Sequence, residues 1–337
     1  MAEKTGTEDV RALAKRLQSE IEYGSRFAFQ DDLHVFIRTP ETRVTTNYRL
    51  NDMQIKGSFD IEHSFILWAV HTLGFATYEM VQYFLSFQKK KYPEKEIKEM
   101  KPDYLKNKLI FLAGAGLLVC YNYKVAKSGR IVKFYCCTVY GHNVFRNMLN
   151  MGYTLFDECT LFRSEMERFK RMSANSVALA FGLDEDCKDL CFNGKYGMPN
   201  FPKIRNYVYA GADFGETFYL VEPVYFRVDK RIETEEENRE KVAKRLTILY
   251  DFEKKFKEEY KKKIKVVFTV EDLEGLKKLS QLLQGMTSDS GLIEGALFTC
   301  ENVIYKYPGR GVSDAFLRRI ADGEETRFVP ARDTWKD

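Results

Sequence analysis

The stretch Lys108–Leu149, KLIFLAGAGLLVCYNYKVAKSGRIVKFYCCTVYGHNVFRNML, leaves few folds open. An apolar helix end passes directly into a run of β-branched and aromatic residues. A short turn at Ala126-Lys-Ser-Gly129 follows, and then a second such run. Two strand-type runs joined by a short Gly-containing turn read as a hairpin. Upstream, DIEHSFILWAVHTLG places Ile61, Phe65, Trp68, Ala69 and Leu73 on one helical face, with Asp60 as N-cap and Gly74 as stop. ATYEMVQYFLSF is a second helix capped by Thr77, and PDYLKNKLIFLAGAG a third, opened by Pro102. GHNVFRNMLNMGY reads as a further helix behind the hairpin. Three helices and then a two-stranded hairpin is the order of a winged helix.

Charge sharpens this reading. The chain of 337 residues carries a net charge of only +4. Between Ser86 and Lys133, however, twelve Lys and Arg face four acids, a local +8 that leaves about −4 for everything else. The basic segment coincides with the third helix, its approach and the hairpin. A helix in the major groove and a hairpin tip on a neighbouring phosphate would use such charge. The expected phosphate contacts are Lys101, Lys106, Lys108, Lys127 and Arg130, and the expected base readers Tyr104 and Asn107. The bland alternative is a solvated helical face, or a winged helix that binds another protein.

Elsewhere the pattern is less pointed. Residues 9–22 form an amphipathic helix, and HVFIRT and RVTTNYRL suggest a strand pair around Pro40. The middle, about 155–200, reads as a connector containing a helix of mixed charge. From Ile204 the order strand, strand, helix, strand, helix, strand implies an α/β domain with a mixed sheet. The tail adds a helix or hairpin. The expected organisation is therefore an α+β chain. Residues 1–54 hold a helix and short strands, 55–155 the winged helix, 156–203 the connector and 204–337 the mixed-sheet α/β domain.

Asp213 and Glu222 fall on adjacent predicted strands. Two such carboxylates can hold Mg2+ for phosphodiester cleavage. A nuclease of this kind also places a Lys two residues after the second acid, where this chain has Val224; Lys241 and Lys244 are the nearest substitutes. Without cleavage no cofactor is expected. Seven cysteines include the pair Cys187 and Cys191, but no second pair or nearby His completes a zinc set. The four His are scattered, and no Gly-rich phosphate loop occurs. No apolar run reaches the ~18 residues of a membrane span, and the start carries no secretory-type apolar segment, so a cytoplasmic protein without a membrane partner is expected.

The segments FATYEMVQYFL…YLKNKLIFLAGAGLLVCYNY and YLVEPVYFRVD…TEEENREKVAKRLTILYDF…KIKVVFTVED resemble the replication-relaxation family of plasmids and conjugative elements. The resemblance implies binding of double-stranded DNA in replication, mobilisation or transcriptional control, alongside replication or transfer proteins. It also implies a second domain resembling a degenerate restriction endonuclease. VSDAFLRR is similar to an opening such domains carry, although it lies after the sheet strands, and Asp314 is its acid. A homodimer would suit a palindromic DNA site, but no apolar seam demands one.

Overall fold

Strands that are apolar at every position need cover on both faces, and that requirement organises the molecule. The computed structural model describes residues 10–27, 35–38, 47–95, 97–125, 129–147, 165–192, 208–228, 234–284, 295–306, 315–322 and 325–331. A mixed α+β architecture emerges: a largely helical N-terminal part and a seven-stranded mixed sheet.

The N-terminal part comprises α1 (Val10–Tyr23), β1 (Val35–Arg38), α2 (Asn47–Ile55), α3 (Ile61–Leu73), α4 (Tyr78–Lys91), α5 (Pro102–Gly114), β2 (Leu118–Lys124), β3 (Ile131–Cys137) and α6 (Val139–Asn147). The local signals act as expected. Asp60 caps α3 through the His63 amide, and His63 returns the bond to the Asp60 amide. Thr77 accepts from the Met80 amide at the start of α4, and Pro102 opens α5. Gly116, at φ +76°, turns the chain from α5 into β2. The hairpin β2–β3 is antiparallel, Tyr121 opposite Phe134. A two-way bond between the backbones of Ala76 and Tyr135 ties the α3–α4 link to it. Of the strand pair expected around Pro40, β1 is formed and adds to β2 about eighty residues later; residues 39–46 lie outside the described residues, and Asn47–Ile55, the end of the second expected strand included, is helical.

The second part comprises α7 (Glu165–Phe181), β4 (Asp189–Phe192), β5 (Ala210–Asp213), β6 (Thr217–Val224), α8 (Glu235–Tyr260), β7 (Lys263–Val270), α9 (Leu273–Gln284), β8 (Leu297–Cys300), α10 (Glu301–Lys306), β9 (Leu317–Asp322) and β10 (Glu325–Pro330). The sheet runs β10-β9-β8-β7-β6-β5-β4, with β6, β7 and β8 parallel and the other neighbours antiparallel. The tail is a hairpin. The crossover helices α8 and α9 cover one face, where Phe218, Leu220, Val266 and Phe268 meet Leu246, Phe256 and Leu279. α1 joins them through Leu13, Leu17 and Ile21.

α7 covers the other face. The segment read as a connector thus holds a helix buried on nearly every side, including Phe169, Met172, Asn175, Val177 and Phe181. Ser173 bonds Thr269 on the sheet at 3.0 Å, while Asn175 donates to the Leu73 carbonyl at the end of α3. One continuous apolar core runs from the three-helix bundle through α7 to Tyr219, Val221 and Val267. Phe181 stacks on Tyr219 and Phe316 at 4.9 and 5.1 Å, so truncating it to Ala would cost about 3–5 kcal/mol. Among the described residues, no helix is long and apolar enough to cross a membrane.

Candidate functional site

The exposed surface of α5 is a narrow stripe. Leu105, Lys108, Leu109, Leu112 and Ala113 are buried against the bundle. Tyr104, Asn107 and Ile110, three residues apart, face solvent; Tyr104 is 47% and Ile110 55% exposed. At 100° per residue these three span about 120° of the helix, with Lys101 beyond one edge and Lys106 beyond the other. Tyr104 leans on the start of α3, its hydroxyl donating to Glu62 at 2.6 Å. Lys106 leans on the start of α4, its ammonium 4.4 Å above the Tyr78 ring and 3.5 Å from Asp103.

Lys108 is not part of this surface, and its expected phosphate contact is withdrawn. The side chain is buried, with Nζ 2.6 Å from Asp60 and 3.1 Å from Glu62. Burial works against the charge, yet hydrogen bonds to Asp60, Glu62 and Tyr104 hold its pKa above the ordinary lysine value. Its ammonium is therefore a strut joining α5 to the start of α3. Other cations of the basic run also serve the fold: Lys91 pairs with Asp189 on β4 at 2.6 Å, and Lys90 donates to the Asp184 carbonyl.

On the hairpin, side chains opposite one another share a face. Lys124 lies across from Ile131, and Asn122 from Lys133. On this face Lys124, Ile131 and Lys133 are exposed, and Arg130, next to Ile131 at the tip, is exposed as well. Gly129, at φ +64°, shapes the tip, its amide bonding the Val125 carbonyl at 2.7 Å. Lys127 lies outside the described residues.

The two candidate carboxylates are not brought together. Asp213 sits opposite Phe218, four residues before Glu222 on β6, which separates the two by about 13 Å at ~3.3 Å per residue. Each already has a cation. Lys262 holds both oxygens of Asp213 at 3.0 and 2.9 Å. Arg245 on α8 clamps Glu222 through two bonds of 2.8 Å. Burial pushes the Glu222 carboxyl up and the Arg245 bonds pull it back, while Arg245 itself is raised by Glu222. A shared Mg2+ does not fit this arrangement. Lys244 pairs with Glu240 rather than with either acid. Asp314 lies outside the described residues, and among the described residues no group of three His, Cys, Asp or Glu is arranged to hold a metal. The six described cysteines, Cys187 and Cys191 included, are buried free thiols.

A polar cluster that sequence reasoning missed closes the carboxyl edge of the parallel strands. Glu271 follows the last residue of β7 and Glu301 the last of β8, adjacent in register. The turn after α1 straps across both. The Ser25 amide donates to the Glu271 carbonyl at 2.6 Å, and Arg26 clamps Glu301 through Nε and Nη2 at 2.9 and 2.6 Å. Glu271 Oε1 accepts from the Phe226 and Arg227 amides, while its Oε2 is buried without a hydrogen-bond partner. Burial raises its pKa to about 7 against the pull of those amides. The signal was present in VVFTVE and ALFTCE, two apolar strands each running straight into a glutamate. In open α/β sheets ligands favour this edge; here the chain's own Ser25 and Arg26 fill it.

Comparison of the chain with protein families, with characterised proteins and with solved structures finds no match.

Proposed function

We propose that this chain binds duplex DNA as a winged helix, with α5 in the major groove and the β2–β3 tip on the adjacent backbone. The observation that carries the reading is the stripe Tyr104–Asn107–Ile110, edged by Lys101 and Lys106. Lys124, Arg130 and Lys133 extend the exposed cations along the hairpin. Three helices packed on one another present the stripe, and the Ala76–Tyr135 bridge fixes the hairpin to their frame. The phosphate set becomes Lys101, Lys106, Lys124, Arg130 and Lys133. The biological setting we propose is the replication, transfer or transcriptional control of a mobile element, as the sequence resemblance implied. The mixed-sheet half serves there as a scaffold of restriction-endonuclease type without its metal chemistry.

Because one core joins the two halves, the test uses the whole chain. Binding to a random-sequence duplex, followed by fluorescence anisotropy across a salt series, should give a log–log slope of about −4.5 for five phosphate contacts. Reversing Lys101, Lys106 or Arg130 singly to Glu should flatten the slope by about one each. An absent or salt-independent signal with every duplex overturns the proposal and favours a protein partner for the same face.

A further inference from the structure

The exposed stripe of α5 has a composition that bears on which bases it would read. Between Arg49 and Arg130 the chain contains no arginine, so the basic segment through the three helices is built from lysine alone. Arginine is the commonest bidentate reader of guanine, whereas lysine, a flexible point charge, suits phosphates. At the centre of the stripe stands Asn107, exposed, one turn from a solvent-facing isoleucine. Ile110 is 55% exposed in the middle of a helix whose other aliphatic residues, Leu105, Leu109 and Leu112, are fully buried. An asparagine amide donates to N7 and accepts from N6 of adenine, as guanine does not permit, and an aliphatic side chain at a groove floor packs on the thymine methyl. The one acid on this face, Asp103, is exposed and lies 3.5 Å from Lys106.

Resting on the DNA-binding reading above, we infer that α5 selects A·T base pairs, with Asn107 reading an adenine and Ile110 packing on a neighbouring thymine methyl. Duplex DNA is the occupant committed to, because the exposed cations Lys101 and Arg130, with Lys106, outnumber the one acid of the face, Asp103. Tyr104 stays outside the code. Its hydroxyl is turned to Glu62, which leaves its ring as a wall of the groove contact rather than a donor to a base edge.

The experiment is selection of bound duplexes from a randomised pool by the intact chain, followed by anisotropy on the enriched site. The expected motif has A·T pairs at its most constrained positions. Asn107→Ala should weaken that site by about ten-fold, the lower part of what one bidentate pair contributes, while leaving the salt slope unchanged. Replacing thymine by deoxyuracil in the site should cost a few-fold, and Ile110→Ala should erase that difference; both side chains are exposed, so neither variant threatens the fold. Enrichment of G·C at the constrained positions overturns the inference. So does steep salt-dependent retention without a motif, or an A·T motif indifferent to Asn107→Ala; in each of these the DNA-binding reading survives. Failure to retain any duplex sinks the reading on which the inference rests.

Discussion

Lys108 separates a charge that binds something from a charge that holds the protein together. Its ammonium lies within 2.6 Å of Asp60 and 3.1 Å of Glu62 and is buried with its stem. Breaking a fully buried pair by removing one partner costs about 3–5 kcal/mol. Here the loss is smaller, because the Asp60 side chain is 40% exposed and rehydrates, and Glu62 keeps its bond from Tyr104. Lys108→Met retains most of the packed stem and removes only the charge, so we expect a loss of about 2 kcal/mol. For 337 residues the unfolding entropy is about 0.7 kcal/mol/K, which turns this loss into a fall of about 3 °C in melting midpoint. Urea titration is the sharper assay, since the midpoint should drop at unchanged slope. Anisotropy at permissive temperature supplies the other half: Lys108→Met should bind duplex with the salt slope of the parent, whereas Lys106→Met should flatten it. A Lys108→Met protein of unchanged stability, with a salt slope reduced by about one, would refute the strut and restore the residue to the phosphate set.

Three further outcomes test the rest of the fold. Glu271 has a folded-state pKa of about 7 against 4.5 for a free glutamate, so the folded state holds its proton more tightly. Its contribution is complete below pH 4.5 and is lost as pH rises through 7, so Glu271→Gln should gain about 3 kcal/mol on the parent between pH 4.5 and 8, and a flat difference would contradict the buried carboxyl. Arg26→Met should cost about 3–5 kcal/mol by leaving Glu301 buried and uncompensated; the double change Arg26→Met with Glu301→Met should be the more stable of the two, and strict additivity would mean the clamp does not exist. Thiol reagents should modify Cys120, Cys136, Cys137, Cys187, Cys191 and Cys300 only as the chain unfolds, since all are buried and burial pushes Cys136 and Cys187 up to about 12; rapid labelling of native Cys136 would argue against the hairpin's packing.

What the sequence disclosed and what it hid divide along the range of the interactions. The caps at Asp60 and Thr77 and the opening at Pro102 are completed by atoms within three or four residues, so a local reading finds them. The hairpin and the crossover helices carry their own periodicity and turn residues. By contrast, β1 acquires its partner only when β2 arrives, and the strand bias of VTT just before Asn47 could not report that the next turn would be helical. α7 carries Arg, Lys and Glu on its first turns, which masks a helix buried by contacts with elements on both sides in sequence. The charge count in the basic segment was correct, but a count cannot tell which cations are already neutralised. Lys108 meets an acid 48 residues upstream and Lys91 one 98 residues downstream. The same blindness joined Asp213 to Glu222. Proximity in sequence and a shared hairpin suggested one cation for two acids, yet antiparallel register places them at opposite ends of the ladder, where Lys262 and Arg245 answer each separately. Charge patterns therefore locate a surface only after the internal pairs have been subtracted. On α5 that subtraction removes Lys108, sets Asp103 against Lys106, and leaves Asn107 and Ile110 exposed, an amide and an aliphatic side chain suited to reading bases between cations suited to holding phosphates.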